Sequence, residues 1–204
     1  MDRTISRYLF FRTLYEPKVT FEVLAESDPS AWKVFSGYSV WLLLLPPVFS
    51  WIGAYNFGWR LGAAEPLMLA TSTLTLISIA YFLTLLFGFY STAVISRWMA
   101  ATYGASSSFG RHAALITIVG QPLAIASVAH LFPNVFFNVL VMIPTMLWSM
   151  YLLYSGIPIA LETPPERGML MASSLVGWLL VAAVSLLGLT MGLWTAGLGP
   201  ALGV

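Results

Sequence analysis

The sequence predicts an all-α integral membrane protein with five transmembrane helices, its N-terminus cytoplasmic and its C-terminus external. Three observations carry that prediction. Of 204 residues, 59% are hydrophobic and 8% charged, whereas an average soluble domain carries roughly 25% charged residues, so too few ions exist to clothe a water-soluble surface. Ten of the 17 charges crowd into residues 1–33. The uncharged gaps between the others are of spanning length, since a hydrocarbon core needs about 20 consecutive apolar residues.

Residues 1–33 are expected to form a cytoplasmic or interfacial segment and residues 34–204 the membrane domain. The stretch from Arg3 to Tyr15 is arginine-rich and aromatic, and Phe10 and Leu14 share a side with Arg3 and Arg7. It reads as a surface-lying segment held near anionic head groups. Pro17 then suits a first helical turn, with Lys18, Glu22 and Glu26 aligned on one solvated face. Asp28-Pro29 reads as an N-cap and first-turn proline that launch the first span.

The five spans are expected at about 36–56, 67–96, 112–131, 134–160 and 165–195. The run from His112 to Leu161 holds no Asp, Glu, Lys or Arg and is too long for one helix, so it breaks at Leu131-Phe132-Pro133-Asn134. The second span outreaches a hydrocarbon core of roughly 30 Å and must tilt or project into water. Thr163-Pro164-Pro165-Glu166 has the form of a capping box, with Thr163 on the amide three residues ahead and Glu166 reaching back. Trp32, Trp41, Trp59, Trp98, Trp148 and Trp194 fall mostly toward span ends, as in an interfacial aromatic belt.

Several chemistries are excluded or disfavoured. Nine Lys and Arg against eight Asp and Glu leave a net charge of +1, which gives no electrostatic footprint for nucleic acid. Zero cysteines remove disulfides, thiolate nucleophiles and sulfur-ligated metals. Gly104-Ala105-Ser106-Ser107-Ser108 begins like a nucleophile elbow but has serine at the second glycine position, and reads instead as a polar loop capping the third span. His112 and His130 lie 18 residues apart, about 27 Å along one helix, so they cannot share a metal. No Asp or Glu lies within a span, Glu65 being at the mouth of the second, which argues against a proton-coupled pump. No catalytic residue, cofactor or metal is expected.

Two intramembrane features remain as candidate sites. Gly120-Gln121-Pro122 falls near the centre of the third span, where Pro122 frees a carbonyl one turn earlier that Gln121 can satisfy. Pro46-Pro47 and Pro144 interrupt the first and fourth spans in the same way. The favoured expectation is that these kinks shape a compact bundle, and the alternative is a small transporter or channel with its site near Gln121 and Pro122. Gly188, Gly192 and Ala196 recur every fourth residue and stack on one face of the last span. That ridge is expected to serve internal packing, with a homo-oligomer contact as the alternative.

Tyr103-Gly104 through Phe109, Ile118-Val119-Gly120-Gln121-Pro122-Leu123, Leu131-Phe132-Pro133, Tyr151 through Pro158 and Thr163-Pro164, in this order and spacing, resemble the Yip family (Ypt/Rab-interacting-protein-like) of five-span membrane proteins. The resemblance implies a cytoplasmic N-terminus and five packed helices, and no catalytic residue to transfer. Eukaryotic members are associated with Rab-type GTPases and carry an Asp-Leu-Tyr-Gly-Pro element. Here Leu14-Tyr15-Glu16-Pro17 stands in that place without the Asp and Gly, which tells against a GTPase partner. The chain is more similar to the compact bacterial branch, which implies a multi-pass protein of the cytoplasmic (inner) membrane; the resemblance carries no molecular role with it, and the protein is expected to act by helix packing and by recruiting a membrane-protein partner rather than by chemistry.

Orientation is set by counting basic residues across five spans. Arg3, Arg7, Arg12, Lys18, Lys33, Arg97, Arg111 and Arg167 share one side and Arg60 stands alone on the other, which places the first group in the cytoplasm. A reporter that works only after export should therefore be active when fused after Val204 and silent within residues 101–108; the reverse pattern refutes the five-span layout.

Overall fold

The structure, a computed structural model, describes residues 12–60, 65–193 and 195. The expected Arg3 to Tyr15 segment as far as residue 11, Trp194 and Ala196 lie outside the described residues. Helix α1 covers Pro17–Ala25. Helix α2 covers Ala31–Phe57 and contains a π-helical turn at Phe35–Ser39. Helix α3 covers Thr71–Tyr103, and α4 covers Phe109–Ala126 with a 3₁₀ extension, Ser127–Leu131. Helix α5 covers Val135–Ala160 and α6 covers Pro165–Leu193. From α2 to α6, all five are long and apolar enough to cross a membrane.

Span boundaries follow local chemistry at several points. Asn134 caps α5 by accepting from the Phe137 amide at 3.1 Å, so the expected break falls where a polar side chain can start a new helix. Helix α3 begins later than expected because Leu67 exchanges two backbone hydrogen bonds with Trp59, at 2.8 and 3.0 Å, and holds the chain extended. It also ends later. The exposed Arg97 does not stop it, because a long cationic side chain at a helix end reaches the interface, and termination waits for Gly104 in the left-handed region at φ 68°. The resulting 33 residues measure about 50 Å, more than a bilayer core is thick.

Two expected helix caps are corrected by the structure. The N-cap of α2 is Ser30, which makes no side-chain capping bond, and the Asp28 carboxylate accepts a hydrogen bond from the Ser108 hydroxyl instead. The Thr163 hydroxyl likewise leaves its own helix and donates to the Tyr103 carbonyl at 2.7 Å. Both side chains have the chemistry of a cap, and both satisfy a partner 60 or more residues away.

Helix α4 is the centre of the bundle. More than half of its most apolar stretch is buried, against 17% or less in each other span. It packs against α2, α3 and α5, while α6 closes the bundle against α3 and α5. Close approach to α2 needs glycine at both ends. A Cβ on Gly110 would overlap the Pro29 carbonyl, and one on Gly53 would overlap the His130 carbonyl. Helix α1 seals the same end of the bundle at which α2 begins: Pro17, Thr20, Phe21 and Leu24 are buried against α5 and α4, and Phe21 rests on Gly156. Lys18, Glu22 and Glu26 face outward, as their spacing predicts.

At the far half of α6, Gly188 and Gly192 have nothing within 4 Å of an added Cβ, so the expected ridge is not filled from within the described bundle. Contrasting substitutions follow. Gly110→Ala should cost about 1–3 kcal/mol of stability through backbone overlap. Gly192→Leu should leave the thermal melt in detergent unchanged, and a drop in oligomer size by light scattering would assign that face to a second copy.

Candidate functional site

The densest polar arrangement joins the start of α4 to the segments around it. Ser108 accepts from the Arg111 amide at 3.3 Å as the N-cap of α4, while its hydroxyl donates to Asp28. Arg111 donates from Nε to the Ser27 carbonyl at 2.7 Å and from Nη1 to the Glu162 carboxylate. Glu162 sits at φ 54°, a left-handed conformation that glycine usually fills at a helix C-terminus. Its carboxylate gives a reason for a side chain there. Because the carboxylate is largely exposed, the ion pair adds little by itself; the half-buried bond to the Ser27 carbonyl does more to fix the geometry.

His112, one residue on, is fully buried. Its Nε2 lies 2.8 Å from the Ser106 carbonyl, an acceptor, so Nε2 carries the proton of the neutral ring and Nδ1 accepts from the Ser96 hydroxyl at 2.7 Å. The pair has the elements of a nucleophile and base, but Ser96 is also 0% exposed, so no substrate reaches it. The histidine instead ties α3 and the 104–108 loop to α4. His130 is at the other end of α4, 2.5 Å from Asn138 Oδ1. Among the described residues no cluster of three or more His, Cys, Asp or Glu exists to hold a metal.

At mid-membrane depth the arrangement differs. Gln121 is fully buried, and neither its Nε2 nor its Oε1 has a hydrogen-bond partner; the Ser149 hydroxyl and the Trp178 indole nitrogen are buried and unpartnered too. Gln121 lies twelve residues inside Phe109, Ser149 eleven inside Ala160 and Trp178 thirteen inside Pro165. At about 1.5 Å per residue all three occur at nearly one depth. An unsatisfied buried polar group costs about 1–3 kcal/mol, and the surrounding hydrocarbon supplies no hydrogen-bonding partner to offset it.

The other candidate residues divide. Pro46, Pro47 and Pro122 are buried, Gly120 and Pro144 are exposed, and the helices run on through every one of these prolines. Pro144 therefore does not join the others. Gln121 does not repair the carbonyl that Pro122 frees, since its amide makes no bond. An apolar crevice of about 270 Å³ opens beside Pro47, between α2 and α3. Sequence reasoning missed the Ser39–Thr117 hydroxyl bond of 2.7 Å that joins α2 to α4. Its one signal was small polar residues isolated within apolar spans.

Of the stretches of sequence singled out by their order, Tyr103 through Phe109, Tyr151 through Pro158 and Thr163-Pro164 meet in space, whereas Leu131-Phe132-Pro133 lies at the other end of α4. Tyr103 donates to Ser174 at 2.9 Å and accepts from Thr163 on its carbonyl, Ser106 donates from its amide to the Leu161 carbonyl at 2.8 Å, and Tyr154 donates to Ser173 at 2.9 Å. The family model described as "Yip1 domain" matches residues 11–198. The inner membrane protein YohC of Escherichia coli strain K12, and that of strain O6:H1 CFT073, are each 25% identical over 181 residues, covering 89% of this chain and 93% of the relative. No solved structure matches. With five spans of membrane-crossing length and a family match over nearly all of its residues, the chain belongs to the Yip1 family of membrane proteins.

Proposed function

We propose that the protein is a non-enzymatic, multi-pass protein of the bacterial cytoplasmic membrane that organises or recruits a membrane-protein partner through a preformed cytoplasmic platform. The observation that carries this reading is the fixing of the N-terminal elements to the bundle. Phe21 and Leu24 are fully buried in the common core, and Ser27 and Asp28 are bonded to Arg111 and Ser108, so α1 is held in one position. Its outward face carries Lys18, Glu22 and Glu26. A surface fixed in advance binds with little ordering cost. Among the described residues, Arg12, Lys18, Lys33, Arg97, Arg111 and Arg167 lie toward the side on which α1 lies and Arg60 toward the other, which supports a cytoplasmic location for α1. The named relatives support the inner membrane. The partner is a membrane protein or a second copy of the chain rather than a Rab-type GTPase, given the altered residues 14–17.

A second reading, a small transporter or channel around Gln121 and Pro122, is favoured by one observation, the unpartnered amide of Gln121. The two separate by experiment. A photo-crosslinking residue at Glu22 should capture one discrete protein in native membranes, and Arg111→Met should weaken that adduct several-fold with helical content unchanged. Adducts to lipid alone would refute the platform. Solute flux in proteoliposomes that is lost in Gln121→Leu would establish the second reading in its place.

A further inference from the structure

The seam between α2 and α4 is pinned above and below Gln121. On one side Ser39 is bonded to Thr117; on the other, Gly53 lies against the carbonyls of His130 and Leu131. The interval is fourteen residues on α2 and thirteen on α4. Both helices run in the same direction from the end that α1 seals, so their register is kept between the pins. One helical turn beyond the Ser39–Thr117 bond brings Leu43 on α2 level with Gln121 on α4, because residues four apart share a face.

Leu42 and Leu43 are the residues whose carbonyls lose their helical donors. Pro46 and Pro47 have no N–H to return to the carbonyls four residues earlier, and Pro122 does the same to the carbonyl of Ile118. The seam therefore places acceptor carbonyls at the level of a buried side-chain amide whose donor and acceptor are both unpartnered. Thr117 and Ser39 already bond to each other, so they do not supply the missing partner.

We propose that this level of the α2–α4 seam is a binding site for water, held by the Gln121 amide and the proline-freed carbonyls of α2. The walls carry no formal charge: residues 34–59 and 112–161 hold no Asp, Glu, Lys or Arg. A neutral molecule that both donates and accepts fits them, and an ion does not. The close packing around Gln121, which is 0% exposed, limits the occupant to the smallest such molecule. Water bridging a proline-interrupted helix is a known way of satisfying backbone in hydrocarbon, and such a water needs two to four polar partners. Gln121 and the carbonyls supply them.

Gln121 is the single glutamine in the chain, so protein labelled with side-chain ¹⁵N-glutamine gives one NH₂ resonance pair. In lipid nanodiscs, that pair should show cross-peaks to water while a water-soluble paramagnetic chelate fails to broaden it. The proposal is overturned if the native amide contacts only aliphatic protons, if it couples directly across a hydrogen bond to a ¹³C-labelled leucine carbonyl without water contact, or if the chelate broadens it. The native protein alone decides between these outcomes.

Discussion

Close approach of backbone to backbone at the two ends of α4 governs the packing of this bundle. Gly110 meets the Pro29 carbonyl at one end, and Gly53 of α2 meets the 3₁₀ extension at the other. Between lipid-facing helices there is no hydrophobic drive to associate, because hydrocarbon is as apolar as leucine; contact comes from close van der Waals packing and from hydrogen bonds between helices. The two glycine contacts supply the first. Around Gly110, the bonds of Ser108, Arg111 and His112 supply the second, and they bind the chain before α2, the loop before α4 and the turn after α5 into one unit.

This concentration at one end explains what the sequence could reveal. The spans were legible because charge is excluded from hydrocarbon, and an excluded charge leaves a gap that can be counted. Their packing was not legible. Leu115, fully buried, and Leu140, largely exposed, look alike in a chain where both lipid and neighbouring helices select apolar side chains. The caps failed for another reason. Asp28 and Thr163 satisfy every local requirement of an N-cap, but each side chain is turned to a tertiary partner, and the local pattern carries no trace of Ser108 or Tyr103. Of the stretches that resembled a family, those around Tyr103, Tyr154 and Thr163 meet at this junction.

The same division runs through the candidate sites. At the α4 start nearly every polar group has a partner, so rigidity is its evident property. At mid-depth Gln121, Ser149 and Trp178 retain hydrogen-bonding capacity that the bundle does not use. Buried polar groups with all partners in place specify a structure; those without them mark where something else is accommodated or where the packing yields. The proposed recruiting platform rests on the first of these two properties and the proposed water site on the second.

The last helix carries this asymmetry within a single element. Near its start Gly168, Met171, Ala172 and Leu175 are buried, whereas from Leu179 to Gly192 every residue is exposed or only partly covered. Its first half is thus oriented by protein, and its second half by the thickness of the surrounding bilayer, since an unsupported span tilts to match the hydrocarbon it crosses. A thinner leaflet would lean the free half over, and the leverage would arrive at Ser173 and Ser174, where the two tyrosine hydroxyls grip the helix. The fifth span is in this sense a lever with its fulcrum beside the hydrogen-bonded junction and its long arm in lipid.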